Sequence, residues 1–182
     1  EQSGLYAQTM KGKPVLLETV RRHKDGRLIP VGISGSPVFA PDGRVMGVAP
    51  DAAGRLLVAD NGNARVRRVD RCTGSIETVA GSGSRQFSGD GGPATAAGLT
   101  PYETLEDAAG NLIIADTDNH RIRIVDDSGT INTLVGTGVG GYAGDGGPAS
   151  AAQINRPWGI ELDATGALYI AEFVNWRSAY VA

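Results

Sequence analysis

The amino-acid sequence predicts an all-β protein, and three observations support this prediction. Glycine accounts for 27 of the 182 residues and lies between short runs rich in β-branched residues, as expected for short strands joined by tight turns. A unit of sequence recurs at a constant spacing of 56 residues. One strand of each unit is apolar at consecutive positions, which is typical of a strand buried on both faces. We therefore predict a partial β-propeller, in which four-stranded antiparallel blades pack face against face around an axis.

The repeat is carried by identical residues at equal intervals. Asp51, Asp107 and Asp163 each begin an Asp-Ala-x-Gly turn and lie 56 residues apart. An asparagine and an arginine keep the same spacing: Asn63, Asn119, Asn175, Arg65, Arg121 and Arg177. The blade units span about residues 45–100, 101–156 and 157–182, and the third ends within its third strand. The prediction is therefore two full blades and an incomplete third.

The second unit illustrates the strands expected in each blade. They lie near Tyr102–Glu106 and at residues 111–116, 121–126 and 130–136. Between the first two, the Asp107 side chain is expected to bond the backbone two residues on, and Gly110 to take a positive φ. The segments LLVA, LIIA and LYIA form the second strand of successive units, so this strand should be buried on both sides. In the strand at 121–126, polar and apolar residues alternate more regularly than in the second strand, as expected for a strand further from the propeller axis.

Two similar glycine-rich loops join the units: SGDGGPATAAGL at 88–99 and AGDGGPASAAQI at 143–154. Each is expected to cross from the outer strand of one blade to the innermost strand of the next, where no regular ladder supplies hydrogen bonds. That path needs length, and it needs glycine to bend. Calcium binding by Asp90 and Asp145 is an alternative function for the loops. Since calcium takes about 6–8 oxygen ligands and each loop offers one carboxylate, the leading prediction is that no metal binds.

Polar residues that recur in every unit are predicted to be structural. Asp60, Asp116 and Glu172 follow the second strand, where they and the asparagines should set a turn. The recurring arginines should reach a carboxylate or carbonyl on a neighbouring blade. Tyr102 and Trp158 occupy equivalent places at the start of the first strand, so core packing is predicted for both. No catalytic residue is predicted.

Ligand-binding residues should instead differ between units and lie at loop ends. Arg67, Arg68, Arg71 and Arg123 are the candidates, because the second unit has Ile124 where the first has Arg68. Such a basic strip would suit phosphate or an acidic partner. Aromatic residues are not interleaved with it and the net charge is −3, which argues against nucleic acid and against a membrane surface as partner.

The repeats resemble NHL repeats of the long type found in many bacterial proteins. The matching segments are GYAGDGGPASAAQINRPWGIELDATGALYIAE and AGNLIIADTDNHRIRIVD, and the resemblance covers about residues 45–182. It implies a β-propeller that serves as a rigid platform for a protein, peptide, glycan or nucleic acid. Some propellers with related repeats are metal-dependent lyases, which need clustered histidines or a metal site. This chain offers only His23 and His120, and His120 is interpreted as a turn residue facing water.

Residues 1–44 do not repeat and form a second predicted unit. The segment from Glu18 to Val31, followed by SPV at 36–38 and DGRVMG at 42–47, resembles the last three strands of a PAS sensor domain over about residues 4–49. The strands of this meander are expected at Val15–His23, Arg27–Phe39 and Arg44–Ala49. The part of a PAS fold that wraps a ligand is absent, so the resemblance implies no cofactor. Alternatively, Val15–Phe39 extends the sheet of the first blade.

The leading functional hypothesis is a non-enzymatic binding module of a bacterial protein, engaging a protein, peptide or glycan partner without a cofactor. The alternatives are a signalling protein with a PAS sensor and, less favoured, a propeller lyase. Three blades should not close a ring, so either the chain is a fragment or copies self-associate through open edges. An extracytoplasmic or secreted location suits the propeller, and a cytoplasmic one suits a native PAS segment. Cys72 is the only cysteine, which excludes an internal disulfide.

Overall fold

The computed structural model describes residues 16–22, 28–34, 38–39, 45–46, 48–70, 72–173 and 177–181. Side chains are described from residue 49 onward, apart from 71, 174–178, 180 and 182. These residues form sixteen strands: β1 (Leu16–Arg22), β2 (Leu28–Ser34), β3 (Val38–Phe39), β4 (Val45–Met46), β5 (Val48–Pro50), β6 (Leu56–Asp60), β7 (Arg65–Val69), β8 (Ile76–Ala80), β9 (Gly92–Pro93), β10 (Pro101–Glu106), β11 (Leu112–Asp116), β12 (Arg121–Val125), β13 (Thr130–Val135), β14 (Pro157–Leu162), β15 (Leu168–Glu172) and β16 (Arg177–Val181).

The strands form three successive blades with the predicted organisation. Strands β5–β8 make the first four-stranded antiparallel sheet, β10–β13 the second, and β14–β16 the third. Within each of these sets the spatial order follows the chain order, so every blade is a meander, and β9 adds a fifth strand to the edge of the second sheet. The predicted all-β class, with two full blades and an incomplete third, is confirmed. In the described part of the chain the sheets stand open, without a closed ring.

The core lies between the blades, and the middle strand β11 contributes to both sides of it. Leu112 and Ile114 pack with residues of the first blade, whereas Ile113 and Ala115 pack with residues of the third. All five residues of β11 are buried. Burying an aliphatic side chain of this size contributes about 1.5–3 kcal/mol. Burial on both faces thus explains why the strand is apolar at consecutive positions.

The third blade departs from this pattern. In β15, Leu168, Ile170 and Glu172 are buried, but Tyr169 and Ala171 are exposed. The prediction that LYIA is buried on both faces is therefore wrong for this blade. The physical reason is that, within the described residues, a blade packs against only one of its faces.

The first glycine-rich loop does more than cross between blades. It runs out to the far edge of the second blade, where β9 pairs with β13 as a fifth strand, and then returns to β10. The Gly91 N–H donates to the Ile131 carbonyl at 2.8 Å, and the Ala94 N–H donates to the Gly129 carbonyl at 2.8 Å. The expectation that no regular ladder supports the loop is corrected here, because the next blade supplies one.

The N-terminal segments are two separate antiparallel pairs. Strand β1 pairs with β2, and β3 pairs with β4, while the sheet of the first blade begins at β5. The predicted strand at 27–39 is thus divided into β2 and β3. Among the described strands the alternative in which Val15–Phe39 extends the first blade is not observed. The PAS resemblance stays a prediction.

Cys72 is exposed in the loop between β7 and β8. Within the described residues, no helix has the length and apolar character needed to cross a membrane.

A half-buried carboxylate joins the inner strands of the second and third blades. One Oε atom of Glu103 accepts a hydrogen bond from the Ile160 N–H at 2.8 Å. Burial, together with the nearby Glu161, raises the pKa of Glu103 despite that hydrogen bond. The ionised form is therefore disfavoured in the folded state relative to the unfolded chain.

Replacement of Glu103 by glutamine is expected to leave the protein as stable or to stabilise it at pH 7–8, by less than about 1 kcal/mol because the site is partly solvated. The amide oxygen keeps the acceptor for Ile160, and the cost of desolvating a charge is removed. Because the pKa of Glu103 is raised by folding, any gain should disappear below about pH 4.3, where glutamate is protonated even in the unfolded chain. Urea titrations of both proteins between pH 3.5 and 8 measure this, and a gain that grows as the pH falls would contradict it.

Candidate functional site

The recurring polar residues build the turn after the second strand of the first two blades, and Asn175 of the third lies outside the described residues. The Asn63 amide donates to both carboxylate oxygens of Asp60 at 2.9 Å, and the Asn119 amide donates to Asp116 at 2.7 Å. In the third blade Glu172 accepts from the Asn155 N–H at 2.6 Å. These contacts are structural, as predicted.

Arg65 and Arg121 also make structural contacts, although their partners differ from those predicted, and the side chain of Arg177 is not among those described. Arg65 donates to the Asn63 and Ser82 carbonyls, both at 2.9 Å, and Arg121 donates to those of Asn119 and Thr137. The arginines therefore join their own turn to the loop that follows the blade, and not to a neighbouring blade.

The first residue of this turn links one blade to the next. The Asn61 amide donates to the Pro101 carbonyl at 3.1 Å, and the Thr117 hydroxyl donates to the Pro157 carbonyl at 2.6 Å. The equivalent residue of the third blade is Phe173, whose side chain has no donor for such a bond. Its ring is 52% exposed and lies 4.7 Å from the ring of Trp158. The third blade thus has an exposed apolar side chain at the position where the first two blades have a side chain that donates a hydrogen bond to the next blade.

Phe173 belongs to a cleft at one end of the blades, which we call the aromatic cleft. Trp158 is 43% exposed, and the Tyr102 ring meets it edge to face at 4.8 Å. The cleft has a volume of about 240 Å³, and all three blades and the loop between the first two contribute to it. Its lining residues are Asn61, Arg85, Tyr102, Thr117, Asp118, Arg156, Trp158 and Phe173.

Charges of both signs lie beside these rings. Arg156 donates to one carboxylate oxygen of Asp118 at 2.6 Å, and both side chains are nearly half exposed. Arg156 has a φ of +50°, a conformation that is uncommon for residues other than glycine. Its backbone N–H donates to Nδ1 of His120 at 3.2 Å, and His120 is a partly exposed residue of the turn after β11. Arg85 is exposed and donates to the Asn61 carbonyl at 2.9 Å.

The prediction that Tyr102 and Trp158 are core residues is therefore wrong for Trp158, and Tyr102 is only partly buried. Equivalent positions in a repeat need not be equally covered, because the aromatic ring is larger in the third blade and packs on Phe173. One signal was available in the sequence. The equivalent positions 61, 117 and 173 carry Asn, Thr and Phe, a variation between units at a loop end.

The arginines predicted as ligand-binding residues are held by contacts within the chain. Arg123 is fully buried, and its guanidinium lies 2.5 Å from Asp90 and 3.5 Å from Asp116. Arg68 lies 3.2 Å from Asp51 and 3.7 Å from both Glu77 and Glu106, so it links the first two blades. The remaining two candidates differ from these: Arg67 is partly buried and Arg71 lies outside the described residues.

The two loop aspartates considered for calcium have different environments. One carboxylate oxygen of Asp90 accepts a hydrogen bond from Arg123, and the other accepts one from the Thr133 hydroxyl at 2.7 Å. Asp145 is exposed and lines a separate groove. Among the described residues, no three His, Cys, Asp or Glu side chains are grouped as metal ligands would be.

Comparison with solved structures identifies the architecture. A protein of unknown function from Bacteroides thetaiotaomicron superposes with a TM-score of 0.68 at 19% identity, over 86% of this chain and 40% of its own. An auxiliary nutrient binding protein from Bacteroides ovatus superposes with a TM-score of 0.63 at 24% identity, over 86% of this chain and 40% of its own. The fold is that of a β-propeller. At these identities the likeness concerns the fold alone.

Two further proteins match part of this chain. A gluconolactonase from Xanthomonas campestris matches 69% of this chain with a TM-score of 0.49 at 20% identity, over 34% of its own length. In sequence, the chain is 29% identical over 133 residues to Protein SUPPRESSOR OF QUENCHING 1, chloroplastic, from Arabidopsis thaliana, which covers 68% of this chain and 12% of that protein. No protein-family model matches. The propeller described here thus spans less than half the length of each of these proteins.

Proposed function

We propose that this chain is a non-enzymatic binding module built of NHL-type repeats, and that its aromatic cleft binds a sugar ring of a glycan. The observation that carries the proposal is the exposed pair Trp158 and Phe173 in a concave site formed by three blades. The fold does not require Phe173, since the equivalent Asn61 and Thr117 make the blade-to-blade hydrogen bond. A large exposed aromatic in a concave site is a candidate contact for a ligand.

The composition of the cleft suits a carbohydrate. A sugar ring has an apolar face of C–H groups that packs on aromatic rings, and a rim of hydroxyls that both donate and accept hydrogen bonds. The cleft offers the two rings together with the donors of Arg85 and Arg156 and the acceptor oxygens of Asp118. Apolar walls with a few placed polar groups are the usual composition of a ligand site. The volume of about 240 Å³ fits one ring of a longer chain better than a whole oligosaccharide.

Binding, and not catalysis, is also what the charged groups favour. The Asp118 carboxylate is engaged by Arg156 at 2.6 Å, an arrangement that orients it to accept hydrogen bonds from hydroxyls. The auxiliary nutrient binding protein of Bacteroides ovatus has a similar fold, which supports the proposed class of function. The choice of a glycan as ligand depends on the composition of the cleft alone.

The test is calorimetric titration of the 182-residue protein with neutral hexasaccharides of gluco, xylo, manno and galacto configuration. We expect at least one to bind, and we expect Trp158→Ala to weaken that binding at least about 30-fold, since buried tryptophan contacts often contribute 2 kcal/mol or more. Tyr169→Ala is the matched control, because Tyr169 is exposed to the same 43% on the adjacent strand but does not line the cleft.

Two results would overturn the proposal. One is the absence of binding by all four hexasaccharides at millimolar concentration. The other is binding that Trp158→Ala and Tyr169→Ala weaken equally, which would place the sugar elsewhere. Circular dichroism of both variants verifies that each is folded.

A further inference from the structure

The aromatic cleft contains two arginines, and only one of them is paired with a carboxylate. Arg156 forms an ion pair with Asp118 at 2.6 Å, so these two side chains add no net charge to the cleft. Arg85 donates to backbone carbonyls only, and no carboxylate of a described residue pairs with it. The other lining residues are uncharged. The cleft therefore has an excess of one positive charge, although the net charge of the whole chain is −3.

Both ends of Arg85 are held in place by neighbouring turns. Its backbone carbonyl accepts hydrogen bonds from the Asn119 amide at 3.0 Å and from the Thr100 hydroxyl at 3.2 Å. Its Nη2 atom donates to the Asn61 carbonyl at 2.9 Å and to the Gly62 carbonyl at 3.3 Å. The Nε and Nη1 atoms donate no hydrogen bond to a described residue. An exposed guanidinium is thus fixed in position with donors left for an acceptor in the cleft.

The repeat does not require an arginine at position 85. The second glycine-rich loop has Gly140 there, five residues before the aspartate that both loops share. In the second unit the His120 ring fills this space, since a Cβ on Gly140 would lie 2.8 Å from it. The first unit has Ala64 in place of His120, which leaves room for a long side chain. Arg85 is therefore a feature of the first loop alone.

Arg156 is also absent from the repeat, because the second loop has one residue more than the first. The Asp-Gly-Gly-Pro segments of the two loops are 55 residues apart, whereas Pro101 and Pro157, which begin the inner strands, are 56 apart. Thr100 and Asn155 are equivalent, since the N–H of each donates at 2.6 Å to the carboxylate that ends the second strand of the blade that follows. The additional residue is therefore Arg156. Two arginines that the repeat does not require thus line one cleft.

We propose that the glycan bound by the aromatic cleft is acidic, and that Arg85 binds the carboxylate of a uronic acid unit. This inference rests on the proposed function, because the aromatic rings hold the sugar and Arg85 adds selectivity for its charge. Charge-assisted hydrogen bonds between a guanidinium and a carboxylate are stronger than those to a neutral hydroxyl. A uronate differs from the neutral hexose only at C6, where a carboxylate replaces the CH₂OH group. It therefore keeps the apolar face that packs on Trp158 and Phe173.

The test is calorimetric titration of the 182-residue protein with hexasaccharides of galacturonic, glucuronic and mannuronic acid and with their methyl esters, which have the same rings without the charge. At low salt we expect at least one acid to bind about fivefold more tightly than its ester, the upper range for a solvent-exposed ion pair. Salt screening should reduce this preference. Arg85→Gln should abolish it and leave binding of the ester unchanged. Arg55→Gln is the control, because it removes the same charge at the opposite end of β6 from Asn61 and should keep the preference.

The possible failures of this inference and of the proposed function are distinguishable. Equal binding of each acid and its ester would overturn the inference alone, because the cleft would still bind a sugar. A preference for the acid that Arg85→Gln retains, or that Arg55→Gln reduces as much, would place the carboxylate elsewhere and also overturn it. Trp158→Ala should weaken the acid and the ester alike, and acid binding that it leaves unchanged would contradict binding in the cleft. No binding of acids, esters or neutral hexasaccharides would overturn the glycan proposal and this inference together.

Discussion

Replacement of Arg123 by methionine is expected to lower the free energy of unfolding by about 3–5 kcal/mol. The guanidinium is fully buried between Asp90 and Asp116, and Asp116 is itself completely buried. Methionine keeps most of the volume but leaves the Asp116 carboxylate without its cation. It also releases the first glycine-rich loop, since Arg123 donates to the Ser88 carbonyl and lies over the Phe87 ring. The change should therefore destabilise both the second blade and the loop that joins it to the first.

The pH dependence of this loss identifies its cause. Burial raises the pKa of Asp116, while hydrogen bonds from Thr100 and Asn119 and the charge of Arg123 oppose that rise. Without Arg123 the pKa rises further, so the folded variant binds a proton at a pH where the unfolded chain does not. Its stability should then increase as the pH falls from 8 towards about 4, the range above the pKa of an aspartate in the unfolded chain.

Urea unfolding of the Arg123→Met protein at pH 5 and pH 8 measures both effects. Arg55→Met is the control, because Arg55 makes an ion pair with Asp51 but is 37% exposed. Pairs that open to solvent contribute about 0–1 kcal/mol. A loss below 1 kcal/mol for Arg123→Met, or a loss equal to that of Arg55→Met, would show that the buried cation does not hold the loop.

Replacement of Gly136 by alanine is expected to cost about 2–5 kcal/mol of unfolding free energy. Gly136 has a φ of +98° at the point where β13 passes into the second glycine-rich loop. An added Cβ would lie 2.5 Å from the His120 carbonyl oxygen and 3.1 Å from the Ile154 side chain. The first unit has the same arrangement, in which a Cβ on Gly81 would meet the Ala64 carbonyl. Both the backbone conformation and the close approach of two chain segments therefore require glycine.

Gly110→Ala separates the two contributions. Gly110 has a similar φ of +88°, but a Cβ there would meet no atom within 4 Å. It should cost only the conformational strain of about 1–2 kcal/mol. Thermal and urea unfolding of the two variants should show the larger loss for Gly136→Ala. Equal losses would mean that the loop moves away from the turn at little cost.

Local sequence patterns predict the strands of the blades well. The predicted boundaries 102–106, 111–116, 121–126 and 130–136 differ from β10–β13 by at most one residue at either end. The prediction depends on features that are local or repeated: the period of apolar residues in a strand, the Asp-Ala-x-Gly turns and the 56-residue spacing. Because the same pattern occurs in three units, the interpretation of one unit can be checked against the other two. The double-sided burial of β11 follows from the same signal, because consecutive apolar residues stabilise a strand only when both faces are covered.

The aromatic cleft, our candidate binding site, is formed by other residues than the arginines that the same patterns predict as ligand-binding. Variation between units at loop ends predicted a site at the arginines of β7 and β12 and of the loop after β7. The structure shows that Arg123 and Arg68 serve ion pairs within the chain, while the variable positions 61, 117 and 173 meet at the aromatic cleft. Whether a side chain is exposed depends on which other segment covers it, and a residue's own unit does not contain that information.

The sequence by itself determined the repeat, the order and length of the strands, the turns that join them, and the stacking of blades. These depend on contacts within a unit or on features that every unit shares. Only the tertiary structure decided that Trp158 and Phe173 are exposed to solvent beside Tyr102 and that Arg123 is buried. The physical reason is that burial depends on the neighbouring blade, which lies about 56 residues away in the chain and differs from one side of the molecule to the other.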